Sequence, residues 1–356
     1  MSVFRRSPAP RSDVDTPRAF EHSVMDSQSA LPLHDDGSIL VGVDGSSRGW
    51  NAVEWAAAEA ESRQCSLRLL HAFRSTPAFS GIYWDASVVE WNRNATELAT
   101  RILAEAATRA RLVAPTIPIT VHAREGTAAA AILRESRQGD LIVLGRGRRD
   151  DRTGSLLSVG RRVARRAHCS VAIVTLTDSS LARERSAGRI VVGVDGTENS
   201  TDVIGFAFRS AQRRAVGLTV MHAHTSSRST PGRLYPSSKQ MSACALRSAT
   251  IERALQLCQR TYPDVEVMQF KYQGRSHLAL LTEATGAALL VLGTPRGRSG
   301  RAPFGPVRRA ALRMAQSPVA VVAPPSRARQ SLRLGREEHR RTLDTLPRPD
   351  TEGQDI

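Results

Sequence analysis

The segments of this chain that could do chemistry are two matching turns rich in glycine, acid and hydroxyl groups. Residues 42–46 read GVDGS and residues 193–197 read GVDGT, and each turn overlaps the end of an apolar run typical of a buried strand. A carboxylate at a strand tip, followed by glycine and a hydroxyl, suits hydrogen bonding to the ribose or the adenine edge of a nucleotide. The same residues also suit a helix cap, in which Asp or Ser accepts hydrogen bonds from the first N–H groups of the next helix.

A second pair of segments combines glycine with arginine. GRGRR at 145–149 and GTPRGRSG at 293–300 each end an apolar strand pattern and precede a helix pattern. Glycine lets the backbone approach an anion, and the N–H groups that open a helix supply donors and the positive end of its dipole. These segments therefore predict phosphate binding near the start of the following helix.

Arginine is concentrated in these same regions. Residues 145–168 contain eight Arg and two Asp, and residues 293–316 contain six Arg and no acid, within a formal net charge of +16. Charge concentrated beside a candidate phosphate loop favours an anionic partner over a solvated helix face. That partner is a nucleotide or, in the rival interpretation, a nucleic acid or other polyanion, although no reading helix or aromatic platform is recognisable.

Several common chemistries lack their motifs in this sequence. Neither a Walker P-loop nor a GxGxxG fingerprint occurs, and no Ser/His/Asp or paired-carboxylate arrangement stands out, so we predict binding without catalysis. The four cysteines are far apart and form no Cys-x-x-Cys pair, which predicts neither a zinc site nor a disulfide framework. His222 and His224 share one face of a predicted strand, but no third ligand is in view, so no metal is predicted; His71 and His222 are expected to cap strand ends.

Both kinds of segment recur because the chain contains a duplicated domain. ILVGVDGSS from Ile39 returns as IVVGVDGTE from Ile190, and LRLLHAF from Leu67 returns as LTVMHAH from Leu218, both at an offset of 151 residues. Two later blocks recur at an offset of 148 residues. Four blocks in one order indicate two copies of one fold.

Within each copy, short runs rich in Val, Ile and Leu alternate with longer amphipathic segments. This alternation predicts an α/β fold: two tandem doubly wound, Rossmann-like, five-stranded, mainly parallel sheets with helices on both faces. In such sheets ligands bind beyond the carboxyl ends of the strands, where the strand order reverses. In the first copy the strands are predicted at about 39–43, 67–72, 119–123, 141–145 and 171–175, with helices at about 50–63, 88–112, 127–137 and 156–167; in the second copy the strands are predicted near 190–194, 218–223, 265–271, 289–293 and 319–322.

The predicted domain order is a disordered tail (1–37), a first domain (38–176), a linker (177–188), a second domain (189–324) and a second disordered tail (325–356). The tails are rich in Arg, Pro, Ser and Asp and cannot bury enough apolar surface to order themselves. No apolar stretch reaches the ~18 residues that span a bilayer, and no signal-peptide core follows the first basic residues. We therefore expect a cytoplasmic protein without a membrane partner.

The recurring blocks resemble the universal stress protein family in its tandem two-domain form, as found in actinobacteria. The matching features are VGVDGS or VGVDGT at the first strand, HA at the end of the second, LIVLG or LLVLG at the fourth and CSVAIV or SPVAVV at the last. They cover about residues 38–176 and 189–324. The resemblance implies a nucleotide-binding, ATP-sensing regulatory protein of the stress response.

ATP-binding members of that family carry Gly, two residues, Gly, nine residues, then Gly and Ser or Thr. In the first copy one residue separates Gly145 from Gly147, and Leu157 stands before Ser158 where the family has glycine. The first copy thus keeps the hydroxyl at the helix start. It is the copy in which the resemblance favours ATP.

The second copy departs further from that motif. Three residues separate Gly293 from Gly297, seven residues precede Gly305, and Pro306 replaces the Ser or Thr. Proline has neither a hydroxyl nor an N–H, so two phosphate donors are lost there.

By resemblance, Gly42 and Asp44 face the adenosine, while the phosphates are held by the loop and by arginines that compensate for its altered spacing. The remaining first-copy residues assigned to nucleotide binding are Gly145, Arg146, Gly147, Arg148, Ser158 and Val159; Arg149 could join the arginines, and the second-copy residues are Gly193, Asp195, Gly293, Gly297, Arg298 and Gly305.

We expect the two copies to pack as an internal pseudo-dimer and to form a homo-oligomer through the edge of the last strand. A nucleotide that orders the Arg-rich loop would change which protein partner the surface binds. Three alternatives stay open: polyanion or nucleic-acid binding through 145–168 and 293–316, a degenerate interaction protein that binds no nucleotide, and weak ATP hydrolysis or self-phosphorylation.

Overall fold

The computed structural model describes residues 37–75, 86–137, 139–146, 155–175, 188–197, 199–224, 238–273, 276–294 and 305–324. The first copy consists of β1 (Ser38–Gly42), α1 (Ser47–Arg63), β2 (Ser66–Phe73), α2 (Ala86–Val113), β3 (Ile119–Glu125), α3 (Ala128–Glu135), β4 (Leu141–Gly145), α4 (Ser155–Arg166) and β5 (Ser170–Val174). The second copy consists of β6 (Ile190–Val194), α5 (Ser200–Arg213), β7 (Leu218–His224), α6 (Ser238–Thr261), β8 (Val267–Gln273), α7 (Ser276–Glu283), β9 (Leu289–Gly293), α8 (Pro306–Met314) and β10 (Val319–Val322).

This alternation confirms the predicted α/β class, and the helices cover both faces of the strands. The predicted tails and linker fall almost wholly outside the described ranges, so those boundaries stay predictions. No helix in the described ranges combines the length and apolarity that a membrane crossing requires.

The strands form one sheet in the order β3-β2-β1-β4-β5-β10-β9-β6-β7-β8. Within each copy all neighbours are parallel. The chain winds outward in one direction from β1 and in the other from β4, so the strand order reverses between β1 and β4, and equally between β6 and β9. Each reversal opens a place for a ligand at the carboxyl ends of the strands.

The last strands of the two copies pair with each other, antiparallel, with Val319 opposite Ile173 and Val321 opposite Val171. Both strands are buried on both faces, and an open edge of this kind would invite aggregation. The two predicted sheets are therefore one ten-stranded sheet. The expectation that this edge forms a further homo-oligomer is wrong, because β5 and β10 each already have two neighbours and the outermost strands are β3 and β8.

The apolar core reflects this joining. On one side of the sheet, α3, α4, α7 and α8 share a single cluster that runs across both copies. On the other side, α1 with α2 and α5 with α6 cover a separate cluster in each copy. The seam between the copies is thus continuous core on the side of α4 and α8.

On the opposite side, α1 meets α5 through matched residues. The Arg63 guanidinium lies 5.5 Å from the centre of the Phe206 ring, and the Arg214 guanidinium lies 5.5 Å from the centre of the Trp55 ring. Arg63 corresponds to Arg214, and Trp55 to Phe206, at the 151-residue offset. The exchanged cation–π contacts show that the copies are related by an approximate twofold rotation.

Glu59 breaks that symmetry at the centre of the contact. Its buried carboxylate forms ion pairs with both Arg63 and Arg214, whereas the matching residue of the second copy is the fully buried Ser210. Burial raises the pKa of Glu59, but the two guanidinium groups more than offset this, so its pKa lies below the usual range. The ion pair between Glu59 and Arg214 therefore joins the two copies through a buried carboxylate.

We predict that Glu59→Gln lowers the free energy of unfolding by about 3 to 5 kcal/mol, because two desolvated guanidinium groups lose their carboxylate. Urea unfolding measures the change. The matched control is Glu97→Gln, which removes an exposed carboxylate 3.9 Å from Arg101 and is expected to change stability by less than about 0.5 kcal/mol. Equal effects of the two changes would contradict the structural role of Glu59.

Candidate functional site

A cleft with a cavity volume of about 150 Å³ lies in the described part of the second copy. It opens at the carboxyl ends of β6 and β9, where the strand order reverses. The glycine motif favoured the first copy as the ATP site, whereas this cleft is lined by residues of the second copy. Four of the residues predicted for the second copy line it: Gly193, Asp195, Gly293 and Gly305.

The floor of the cleft is apolar. Met221, Leu280 and Leu292 lie there, all of them buried. A Cβ at Gly193 would fall 2.8 Å from Leu292 and 3.1 Å from Leu280, so this glycine allows α7 to pack tightly against β6. Such a floor suits the flat face of a base.

Asp195 follows β6 and organises the turn that begins α5. Its Oδ1 accepts hydrogen bonds from the backbone N–H of Thr197 (3.1 Å), the Thr197 hydroxyl (2.7 Å) and the Ser200 hydroxyl (3.5 Å). All three bonds use one oxygen of an exposed carboxylate. Asp195 therefore has a structural role in the turn, and its Oδ2 is a candidate ligand acceptor at the rim.

Asn199 is a deeply buried polar group of the cleft wall. It is 3% exposed, and its Nδ2 donates to the backbone oxygen of Thr294 at 2.8 Å. Its Oδ1 is buried and has no hydrogen-bond partner among the described residues. An unpaired buried oxygen costs about 1 to 3 kcal/mol, so a further donor at this atom would stabilise the protein.

Gly293 lets the start of α5 reach the end of β9. A Cβ at this position would fall 2.8 Å from Val203 Cγ2 and 3.0 Å from Asn199 Nδ2. The glycine was predicted to let backbone approach a phosphate. In the structure it also allows Asn199 to approach the sheet.

Arg308 provides the positive charge of the cleft. It lies in the first turn of α8, and its Nη1 donates to the backbone oxygen of Gly293 at 2.6 Å. Burial lowers the pKa of Arg308, and attraction to the Asp195 carboxylate opposes that shift. The guanidinium thus lies in the cleft wall between the two predicted ligand segments.

The N-terminus of α8 faces the same space. Gly305 is the N-cap, in an extended conformation without a side-chain cap bond, and Pro306 is the first helical residue. The first helical backbone bond is from the N–H of Arg309 to Gly305, at 3.2 Å. The N–H groups of Val307 and Arg308 are therefore the first-turn donors that an anion in the cleft would meet.

In the first copy the corresponding turn is a helix cap. Asp44 Oδ1 accepts from the backbone N–H (3.0 Å) and the hydroxyl (2.6 Å) of Ser46, whose own Oγ accepts from the N–H of Gly49 at 3.1 Å. His71 Nδ1 lies 2.7 Å from the backbone oxygen of Val43, which confirms its predicted role at the strand end. The capping interpretation therefore describes Asp44 and Ser46 in the structure.

Two first-copy glycines have close-packing roles. A Cβ at Gly42 would fall 2.5 Å from Leu144 and 2.9 Å from Ile132, so α3 packs there. A Cβ at Gly145 would fall 2.5 Å from the backbone oxygen of Arg48. Whether either glycine contacts a ligand stays a prediction.

Arg146 was predicted to pair with phosphate, but the structure places it elsewhere. Its guanidinium donates to the backbone oxygens of Ala315 (2.5 Å) and Ala311 (3.3 Å), at the C-terminal end of α8. A cation is favourable there because the last carbonyls and the helix dipole are negative. In this structure Arg146 joins the first copy to the second rather than lining a phosphate site.

The remaining residues predicted for the loops fall in two groups. Gly147, Arg148, Gly297 and Arg298 lie outside the described residues, as does Arg149. Ser158 lies in the first turn of α4, and Val159 packs partly buried against the shared core. Their nucleotide contacts stay predictions.

The sequence reasoning did not assign Asn199, Arg308 or Tyr272, which line the cleft, and it assigned His222 to the end of a strand. Arg308 could have been predicted as a site residue by aligning the two copies. At the offset of 148 residues it matches Gly160, so the second copy has an arginine where the first copy has no side chain. At the offset of 151 residues Asn199 matches Arg48, and this pairing does not indicate a ligand site.

Comparison with known proteins gives a consistent result. The model of the universal stress protein family matches residues 37–175 and 187–323. A universal stress protein of Mycobacterium tuberculosis is 31% identical over 308 residues, covering 83% of this chain and 97% of the relative. A universal stress protein from Archaeoglobus fulgidus has a similar fold, with a TM-score of 0.58 and 17% identity over 81% of this chain and 99% of its own. A solved universal stress protein in complex with cAMP matches 39% of this chain and 96% of its own, with 27% identity and a TM-score of 0.32.

We predict that Gly293→Ala destabilises the protein by about 1 to 3 kcal/mol, because the added methyl group collides with Val203 and Asn199. The matched control is Gly205→Ala within α5, where the nearest atom is the flexible Arg209 side chain at 3.4 Å. That change is expected to stabilise the helix by about 0.5 to 1 kcal/mol. Urea unfolding compares the two, and a neutral Gly293→Ala would show that α5 does not depend on this close approach.

Proposed function

The chain belongs to the universal stress protein family, and on that premise we propose that its second copy binds an adenine nucleotide, with ATP as the expected ligand. The buried Asn199 Oδ1, which has no partner among the described residues, is the observation that carries this proposal. It lies in the wall of a cleft that also contains the Arg308 guanidinium and the N-terminus of α8. Acceptors and anion-binding groups are thus present in one space.

The polar groups fit the two ends of a nucleotide. Asn199 Oδ1 and Asp195 Oδ2 are acceptors for an exocyclic amine or for ribose hydroxyls. The Arg308 guanidinium and the first N–H groups of α8 are donors for phosphate oxygens. The apolar floor between them receives the base.

Arg308 offsets the loss that Pro306 causes. The family motif has a hydroxyl and an N–H at position 306, and proline supplies neither. A guanidinium carries five N–H donors in a planar fork, so the bond to Gly293 is compatible with a two-bond contact to phosphate. In the second copy, the Arg308 side chain would therefore add to the phosphate contacts of the remaining N–H groups at the start of α8.

We infer weaker nucleotide binding, or none, in the first copy. Arg146 is engaged by α8, and Gly160 stands where the second copy has Arg308. The asymmetry reverses the preference that the glycine motif alone predicts.

The proposed role is regulatory binding in the cytoplasm rather than turnover. A nucleotide in this cleft contacts the start of α8, whose far end is held by Arg146 of the first copy. Occupancy would shift the equilibrium of this helix between conformations that a protein partner distinguishes. The partner and the oligomeric state follow from the family resemblance as proposals only.

We predict that the intact chain binds ATP and AMP in a calorimetric titration and that Arg308→Gln weakens both by about 10- to 100-fold, because a charge-assisted phosphate contact is worth about 1.5 to 3 kcal/mol. Binding of adenosine is expected to change little. The matched control is Arg309→Gln, one residue further along α8 and exposed, which is expected to leave all three affinities within about twofold.

No millimolar-range binding by the intact chain would remove the nucleotide from this proposal. Equal losses in Arg308→Gln and Arg309→Gln would show a general charge effect rather than a contact in the cleft. Phosphate release from ATP, measured on the same samples, is expected to be absent, and release above that of a buffer blank would favour the hydrolytic alternative.

A further inference from the structure

The arginines of α4 and α8 that point away from the core form one basic face, which consists of Arg161, Arg162, Arg165, Arg166, Arg309 and Arg313. All six are exposed. The two helices lie on the same side of the sheet, since Val163 of α4 and Leu312 of α8 belong to the core cluster that crosses the seam. The strands that follow them, β5 and β10, are paired neighbours. The basic face therefore spans both copies.

The two copies present part of this charge in the same way. At the offset of 148 residues, Arg161 matches Arg309 and Arg165 matches Arg313. In each helix the two arginines are four residues apart, so they lie on one side of it. The approximate twofold rotation of the molecule thus repeats an arginine pair across the seam.

This charge is not neutralised within the described part of the protein. No ion pair among the described residues includes any of the six arginines. Helix α2 differs, since its Arg101 and Arg109 have glutamate partners four residues earlier, Glu97 and Glu105. Like charges four residues apart destabilise a helix by a few tenths of a kcal/mol, so α4 and α8 carry a local electrostatic cost that α2 avoids.

We propose that the basic face binds the phosphate backbone of double-stranded nucleic acid without reading its sequence. Arginines on helix surfaces match phosphate oxygens, and six of them span both copies. Among the described residues of α4 and α8, Met314 is the one exposed large apolar side chain, and no aromatic side chain is exposed. The described part of the face therefore offers no platform for unstacked bases. A duplex backbone therefore suits it better than a single strand does.

The proposal does not depend on nucleotide binding in the cleft. Arg308 lies in the cleft wall, whereas Arg309 and Arg313 are exposed. Binding to the face is governed by counterion release, for which the logarithm of affinity falls with the logarithm of salt concentration by about 0.9 for each phosphate contacted. Six contacts give a slope of about −5 and a loss of roughly 10³-fold in affinity between 50 and 200 mM salt.

The test is a fluorescence-anisotropy titration of the intact chain into a labelled duplex DNA of ~20 base pairs at several salt concentrations. The face variant carries Arg161→Gln, Arg165→Gln, Arg309→Gln and Arg313→Gln. The matched control carries Arg93→Gln, Arg111→Gln, Arg253→Gln and Arg260→Gln, which remove the same charge from exposed positions of α2 and α6. Glutamine keeps the helix propensity of arginine, and thermal unfolding checks that both variants fold.

The intact chain and the control are expected to show the steep salt dependence, and the face variant a slope smaller by about 4. Absence of duplex binding by the intact chain at 50 mM salt would overturn the proposal. So would equal slopes in the two variants, because the effect would then follow net charge alone. Tighter binding to a single strand of the same length, or to poly-glutamate, would overturn it as well by assigning the face to another partner.

Discussion

The antiparallel pairing of β5 with β10 is the constraint on which the rest of the structure depends. Each copy ends in a short strand that is buried on both faces, and such a strand cannot lie at an open edge in water. Pairing the two ends satisfies both backbones at once and places the copies in approximate twofold relation. It also decides which helices become neighbours: α4 and α8 share core on one side, and α1 meets α5 on the other.

Some matched positions near the seam carry different residues in the two copies. Glu59 neutralises two matching arginines, whereas its counterpart Ser210 is uncharged. Arg146 reaches the end of α8, whereas its counterpart Thr294 is short and bonds to the backbone oxygen of Val322 at 3.1 Å. At these two positions the first copy carries the side chain that reaches the other copy, and the second copy does not.

The sequence was sufficient for the fold because its signals are periodic and repeated. Apolar runs of strand length, the internal offsets and the turns after the first strands specified the element order. The strand-to-strand joining of the copies was not predictable in the same way, since VAIV and VAVV read equally well as buried strands within separate sheets. Asp195 and Gly293 were assigned to the site from their positions at strand ends, and the structure places both in the cleft.

The remaining site residues escaped prediction for a physical reason. A side chain such as Asn199 indicates a ligand site only when its burial and its unpaired oxygen are known. Neither property can be predicted from the residue types around it in the sequence. Arg146 and Arg308 belong to similar Arg-rich segments, yet one donates to carbonyls of the other copy and the other to Gly293 within its own. Composition locates charge, but the tertiary structure decides which anion or carbonyl each charge meets.

Helix α8 is where these separate features act on one element. Its first turn bears Arg308 in the cleft, its exposed side bears Arg309, and its last carbonyls accept from Arg146 of the first copy. The helix has only nine residues, so a shift at one end is carried to the other within about 14 Å. A phosphate held by Arg308 would contact the same helix that presents Arg309 and Arg313, half of the matched arginine pairs. Helix α8 therefore contributes to the proposed nucleotide site, to the basic face and to the contact between the copies.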